Sequence, residues 1–229
     1  MKQYFDYTDE RSHRCCAFCE EAPDTIDHIP ARTFLIKPYP ENLHTISTCS
    51  KCNNVSSKDE ESVAFTLRYL KLLEDGKMGE LENYLDSARR LRNEDKLFDM
   101  LSIDDKGNPF IGVDAEAVKR ILVKYAKAHT LYEMGERMIG MPTHVAFVFK
   151  NQIGTELLAQ FEAVQQSPVY PEVASRLLQR IVQQGENSWL IVQDNQYRYS
   201  ISYDPIISVK IVISETLLGE ISWAEEGDE

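Results

Sequence analysis

The sequence predicts an α+β protein in which a small, loop-rich N-terminal module is followed by a helical region and a C-terminal antiparallel β-sheet. Residues 1–60 contain four prolines and two Cys-x-x-Cys steps. Beyond them, apolar residues recur at helical spacing, and over residues 188–223 the spacing becomes that of short strands. Helices and strands segregated along the chain in this way are typical of α+β architecture.

The N-terminal module has too few apolar residues for a core of its own and is expected to need a cross-link, such as a bound metal ion, as a staple. Cys16 and Cys19 form one Cys-x-x-Cys step, and Cys49 and Cys52 form the other. Four thiolates at this spacing can close a tetrahedral zinc site, which leaves no open position and therefore serves structure alone. Cys15 could replace Cys16, but Cys16 gives both steps the same spacing.

Helical patterns follow the second cysteine step. Asn53 is expected to begin a helix, and the acidic run 59–61 also suits a first helical turn. Apolar residues then recur at helical spacing from Val63 to Leu73, and the helix is predicted to stop at Asp75. Further helices are predicted over about 79–92, 115–135, 154–165 and 171–184.

Strand patterns dominate the end of the chain. Residues 145–149 are predicted to form a short buried strand, and Asp194-Asn195 a hairpin turn. Tyr197 to Ser202 alternates apolar and polar side chains, as in a sheet with one wet face. The four predicted strands of this sheet cover residues 188–192, 197–203, 209–213 and 219–223.

Composition limits the classes of partner. The net charge of −12 argues against generic, charge-driven binding to nucleic acid, so a local basic patch or a protein partner is needed. The first residues are polar and lack the apolar core of a signal peptide, and no apolar run is long enough to span a membrane. We therefore expect a cytoplasmic protein, in which paired cysteines favour metal over disulfide bonds.

Asp27 and His28 lie between the two cysteine steps and could carry chemistry. A carboxylate can hold a hard cation such as Mg²⁺, and an imidazole can take a proton from an attacking water. The amide oxygen of Asn53 could be a second ligand to that cation. An Asp-His pair alone usually consists of exposed side chains with no catalytic role, and Asn at a helix start is often an N-cap.

Taken together, the motifs resemble the HNH endonuclease family, the ββα-metal nucleases, over about residues 14–61. The resemblance rests on Cys16-x-x-Cys19, Asp27-His28-Ile29-Pro30, Glu41-Asn42-Leu43 and Cys49-x-x-Cys52-Asn53. It implies that His28 is the general base, that Asp27 and Asn53 hold the catalytic Mg²⁺ or Mn²⁺, and that Asn42 orders the loop and the base. The implied organisation is a zinc-stapled HNH module over 1–61 and an α+β C-terminal region over 62–229.

One departure from the family concerns its basic residue. Many members carry a Lys or His three residues after the final Asn, where this chain has Ser56. Arg32 and Lys37 could grip phosphate in its place, and His44 could touch it, although a structural strand residue is the alternative for His44. A nucleic-acid backbone could follow the helix face of Arg120, Lys124 and Lys127, which is otherwise interpreted as a solvated face.

The sequence therefore predicts an endonuclease that hydrolyses DNA phosphodiester bonds, with structural Zn²⁺ and catalytic Mg²⁺ or Mn²⁺. DNA is the expected substrate, and residues 62–229 could bind a regulatory protein or form a homodimer. The resemblance suggests a bacterial effector in anti-phage defence or a mobile element. The alternative is a non-catalytic, zinc-stabilised module that binds nucleic acid or protein.

Overall fold

The computed structural model describes Tyr4 and residues 14–81, 83–84, 101–103 and 109–224. It is an α+β fold, as predicted, with an antiparallel hairpin of β1 and β2 leading directly into the long helix α1. The N-terminal elements are β1 (Thr25–Ile29), β2 (His44–Thr48), α1 (Ser50–Glu74) and the hairpin of β3 (Leu101–Ile103) and β4 (Pro109–Ile111). The others are α2 (Ala115–Met134), β5 (His144–Phe149), α3 (Thr155–Glu162), α4 (Arg176–Gln184), β6 (Leu190–Gln193), β7 (Tyr197–Ser202), β8 (Ile207–Ile213) and β9 (Leu217–Trp223).

The C-terminal sheet has five antiparallel strands in the order β5-β9-β8-β7-β6. The four predicted strands are confirmed within a few residues, and Asn195 adopts a positive φ of 58° in the turn between β6 and β7. The prediction that residues 145–149 form a buried strand is wrong in one respect. β5 pairs only with β9, so it lies at the sheet edge and its side chains are partly exposed.

Helix α2 covers the inner face of this sheet and confirms the helix predicted over 115–135. It begins where the Asp114 carboxylate accepts a hydrogen bond from the Ala117 backbone N–H, and it ends at Gly135, which has a φ of 74°. On the sheet, Gly219 lets the helix approach closely, because a Cβ there would lie 2.6 Å from a Leu122 methyl group. The other face is partly covered by α3, whose Glu162 pairs with Arg198.

Helix α1 begins earlier than the acidic run suggested. The Cys49 thiol accepts a hydrogen bond from the Cys52 backbone N–H, and the Asp24 carboxylate accepts one from the Ser50 N–H at 2.6 Å. These two acceptors satisfy donors of the first turn, so the helix starts at Ser50. The run 59–61 therefore lies inside α1, where Glu60 is buried.

The other predicted helices are found in part. Helices α3 and α4 are shorter than the predicted ranges 154–165 and 171–184. Of the predicted helix over about 79–92, residues 79–81 and 83–84 are helical, and the remainder lies outside the described residues. Across the described parts of the chain, no helix is both long and apolar enough to cross a membrane.

One hydrophobic core joins the N-terminal hairpin, α1, α2 and the inner face of the sheet. Ile29 and Ile46 from the hairpin belong to the same buried cluster as Leu122 of α2 and Ile211 of β8. Helix α1 runs through residue 61 without a break. The division of the chain at residue 61 stays a prediction, but the two sides share this core.

Buried polar groups also link the hairpin to the C-terminal elements. Arg180 of α4 forms two hydrogen bonds with the fully buried Glu133 of α2, and the Tyr199 hydroxyl donates to the same carboxylate at 2.6 Å. His44 of β2 stacks on Tyr132, with ring centroids 3.9 Å apart. The ring stack places β2 against α2, and the hydrogen bonds to Glu133 hold α4 and β7 to the same helix.

His44 makes the stability of this fold depend on pH. Burial, with the nearby Arg180 and Arg176, lowers the pKa of His44 to about 3. In the unfolded chain the pKa is about 6.5, so the unfolded state binds the proton first as the pH falls. The stability present above pH 6.5 is therefore lost between about pH 6.5 and pH 3.

We expect His44 to lower the free energy of unfolding by about 2 kcal/mol between pH 7 and pH 5. Urea denaturation at both pH values should show that the wild type loses about 2 kcal/mol more than His44→Gln. Burial also lowers the pKa of His129, but that loss is common to both proteins and cancels in the comparison. Equal losses in the two proteins would contradict the assignment to His44.

Candidate functional site

Four cysteine side chains meet beside the β1–β2 hairpin. The sulfur atoms of Cys16, Cys19, Cys49 and Cys52 lie within 4.8 Å of one another, and the Cys19 and Cys49 sulfurs are 3.8 Å apart. Tetrahedral zinc with bonds of about 2.3 Å requires sulfur atoms about 3.8 Å apart. The cluster could therefore hold a metal ion such as zinc. Cys15 contributes no sulfur to it.

Hydrogen bonds hold the first cysteine step in place. The Phe18 N–H donates to the Cys16 sulfur, and the Ala17 N–H donates to the Ser47 carbonyl of β2. From the segment after α2, Arg137 donates to the carbonyl oxygens of Cys16 and Cys19 at 2.9 and 2.6 Å. The first step is therefore attached both to the hairpin and to the C-terminal part of the chain.

The electrostatics of the cluster favour a bound cation. Burial and the neighbouring sulfurs of Cys49 and Cys19 raise the pKa of the Cys52 thiol. Burial also raises that of Cys16, but hydrogen bonds from Thr48 and the backbone outweigh it and lower the pKa to about 6. Without a cation the four sulfurs cannot all be thiolates near neutral pH, whereas a divalent metal would favour that form at each of them.

Asp27 lies on the inward face of β1. Side chains alternate along this strand, so Ile26 and His28 point outward while Asp27 and Ile29 are buried. Asp27 is only 8% exposed, and its Oδ2 atom lies 2.6 Å from Nζ of Lys124 on α2. The contact is an ion pair, and Oδ2 forms no aligned hydrogen bond with the described residues. A buried carboxylate in this position already attracts a cationic group.

Lys124 connects Asp27 to helix α1. Its Nζ atom lies 2.6 Å from Glu60 Oε1 and 2.8 Å from Ser56 Oγ. The Tyr125 hydroxyl donates to the same Glu60 oxygen at 2.8 Å. We refer to Asp27, Ser56, Glu60 and Lys124 as the Lys124 cluster. It brings a carboxylate of β1 and two oxygen-bearing side chains of α1 to one ammonium group.

His28 lies on the opposite face of β1 from Asp27 and is half-buried. The Arg32 guanidinium donates to its Nε2 atom at 3.0 Å, because arginine has no lone pair to offer. Burial and the charge of Arg32 lower the pKa of His28, while Asp27 opposes this shift. The neutral imidazole therefore carries its proton on Nδ1 and keeps a lone pair on Nε2.

The two predicted asparagines lie on either side of β2. Asn53 is in the first turn of α1, where its backbone N–H donates to the Cys49 carbonyl and its carbonyl accepts from Ser56. Its side-chain amide forms no hydrogen bond with the residues that the structure describes. Asn42 is exposed in the turn before β2. The structure thus brings Asp27 close to the start of α1, and Ser56 connects that contact to Asn53.

The weaker phosphate candidates have different surroundings. Lys37 and Arg32 are both exposed, and Arg32 contacts His28. His44 is buried and cannot reach a phosphate from its place in the core. The interpretation of Arg120, Lys124 and Lys127 as a solvated face is wrong for the two lysines, whereas Arg120 is exposed. Arg120 pairs with Asp59, Lys127 donates to the Ile139 carbonyl, and both lysines are buried.

Sequence reasoning missed Glu60 and Arg137 and misplaced Lys124. Glu60 comes seven residues after Asn53, so both lie on one face of α1 once the helix is known to begin at Ser50. That spacing was the available signal. The contacts of Lys124 and Arg137 connect residues that are far apart in the chain, and no local pattern indicates them.

Comparisons with known proteins gave no match to this chain. No protein-family model matches it, and neither curated proteins nor solved structures include a significant match.

Proposed function

We propose that the protein is a metal-dependent nuclease of the HNH type that hydrolyses DNA phosphodiester bonds. The observation that carries the proposal is the buried Asp27 carboxylate, which is next to the half-buried, neutral His28 on a hairpin that leads into a cysteine-capped helix. Buried acid is uncommon, and here it is adjacent in sequence to a base that can accept a proton at neutral pH, with the two side chains on opposite faces of β1. The four-cysteine cluster, with zinc bound, would fix the hairpin against α1.

In this proposal, Asp27 and Asn53 hold a divalent cation such as Mg²⁺ or Mn²⁺. The cation supplies Lewis-acid stabilisation of charge at the scissile phosphate and the leaving oxygen. His28 accepts the proton of the attacking water through Nε2. Asn42, in the turn before β2, would order that loop and the base. The four cysteines hold zinc and take no part in the proton transfer.

Arg32 has a role at the start of this reaction. Its guanidinium donates a hydrogen bond to His28 Nε2, which is the atom that must accept the proton. Arg32 is exposed and can turn towards a phosphate, which it would bind through two parallel hydrogen bonds. Binding of the phosphate by Arg32 therefore frees the lone pair of His28 when substrate is present.

A plasmid-nicking assay tests the proposal. With Mg²⁺ or Mn²⁺, the wild type should convert supercoiled DNA to the nicked form, and Asp27→Asn should be at least about 100-fold slower because it loses the charged ligand. Asp59→Asn is the matched control, since Asp59 lies on α1 and pairs with Arg120 outside the Lys124 cluster. Nicking by Asp27→Asn at the wild-type rate would overturn the role of Asp27 and with it the proposed cation site.

A second function is favoured by the ion pair between Lys124 and Asp27. Because an ammonium group already contacts the carboxylate at 2.6 Å, the protein could be a zinc-stabilised binding module with no catalytic cation. This function predicts binding to DNA or to a protein partner without nicking under any divalent cation. The same assay, run beside a gel-shift measurement, separates the two functions.

A further inference from the structure

We propose that Lys124 is a built-in competitor of the catalytic cation, and that its ammonium group occupies the place among Asp27, Ser56 and Glu60 that a divalent cation takes when it binds. The inference rests on the proposed function, because it concerns the cation that Asp27 would hold. It adds Glu60 and Ser56 to the groups that surround that cation.

The first argument is the chemistry of the oxygens around Lys124. Two carboxylates and a hydroxyl converge on Nζ at distances of 2.6 to 2.8 Å. Oxygen ligands of this kind are those that Mg²⁺ and Mn²⁺ prefer. Ser56 and Glu60 are four residues apart on α1, so they lie one above the other on the helix face towards β1. The set is therefore arranged to bind a cation, and Lys124 supplies one.

The second argument is burial. Lys124 is 8% exposed, so its ammonium group lies in the protein interior. Lys127, on the same helix and equally buried, ends instead on the Ile139 carbonyl oxygen. A buried lysine of α2 can thus hydrogen bond to a neutral acceptor alone, whereas Lys124 forms ion pairs with two carboxylates. Its position is therefore one in which a cation neutralises two buried carboxylates.

The third argument is charge. Asp27 and Glu60 contribute two negative charges to the Lys124 cluster, and the ammonium group cancels one of them. A divalent cation on Asp27 would lie within a few ångströms of this positive charge, and like charges repel strongly at that distance in a partly buried site. Cation binding therefore requires the ammonium group to withdraw.

The test is a titration of the zinc-loaded, full-length protein with Mn²⁺, followed by calorimetry or by the electron paramagnetic resonance signal of free Mn²⁺. Lys124→Met should bind Mn²⁺ at least about tenfold more tightly than the wild type, because the competing charge is gone. Lys127→Met is the matched control for a buried lysine lost from α2, and it should bind like the wild type. Adding Asp27→Asn to Lys124→Met should abolish the gain.

The outcomes separate this inference from the proposed function. Equal or weaker Mn²⁺ binding by Lys124→Met, with binding still lost in Asp27→Asn, overturns the competition and leaves the nuclease proposal standing. Absence of Mn²⁺ binding in every variant overturns both. If Lys124→Met fails to fold, Lys124→Gln replaces it, since the amide can hydrogen bond to Ser56 and the carboxylates without a positive charge. The same tenfold gain is expected from Lys124→Gln.

Discussion

Replacing His28 with alanine is expected to slow metal-dependent nicking of plasmid DNA by about 10²- to 10⁴-fold, the usual contribution of a general base. The fold should persist, because the imidazole is only half-buried and its hydrogen bond to Arg32 is exposed. The measurement is the nicking rate at saturating Mn²⁺, with the zinc content determined on the same sample.

Ile26→Ala is the matched control for this substitution. Ile26 lies two residues before His28 on the same outward face of β1 and is 63% exposed. Its replacement removes a side chain from that face without touching the proposed chemistry, so nicking should continue at the wild-type rate. If His28→Ala is as active as Ile26→Ala, another group must accept the proton.

Replacing Cys49 with serine is expected to lower the free energy of unfolding by about 4 kcal/mol or more, which corresponds to a fall in melting temperature of roughly 8–16 °C. Cys49 has two roles that serine cannot fill together. It supplies one of the four clustered sulfurs, and its thiol accepts the hydrogen bond that caps the first turn of α1. Thermal unfolding, followed by circular dichroism, measures the change.

Cys15→Ser is the control, because Cys15 is adjacent to a clustered cysteine but contributes no sulfur. It should bind one zinc ion and melt like the wild type. Prolonged treatment of the wild type with a strong chelator should reproduce the melting behaviour of Cys49→Ser. A Cys49→Ser protein that melts with the wild type would show that the cysteine cluster does not stabilise the fold.

The features that could be predicted from the sequence are those with a local cause. The cysteine steps were visible because metal ligands need a fixed short spacing, and the C-terminal strands because the alternation from Tyr197 to Ile201 follows the strand period. Helix α2 was visible from its apolar stripe, which ends near Gly135, whereas its N-cap at Asp114 became clear only in the structure. The pairing of β5 at the sheet edge was not, since register with β9 is set by tertiary packing.

The candidate site was predicted only where its residues are close in the sequence. Asp27 and His28 are adjacent, and Asn53 follows a cysteine step, so a motif could identify them. Lys124 was judged to lie on a solvated helix face because periodicity tells which residues share a face but not what packs against it. Its partners Asp27 and Glu60 are brought to it by the packing of α2 on the hairpin and on α1.

The continuity of α1 has a consequence for how mutations would affect the proposed cation site. Asn53 lies in the first turn, while Val63 and Leu67 of the same helix are fixed in the hydrophobic core. An α-helix turns by about 100° and rises about 1.5 Å per residue, so core side chains about 15–20 Å away determine the direction in which Asn53 points. A core substitution that altered the seating of α1 would therefore misalign the site by rotating its ligand, while every group of the site remained chemically intact.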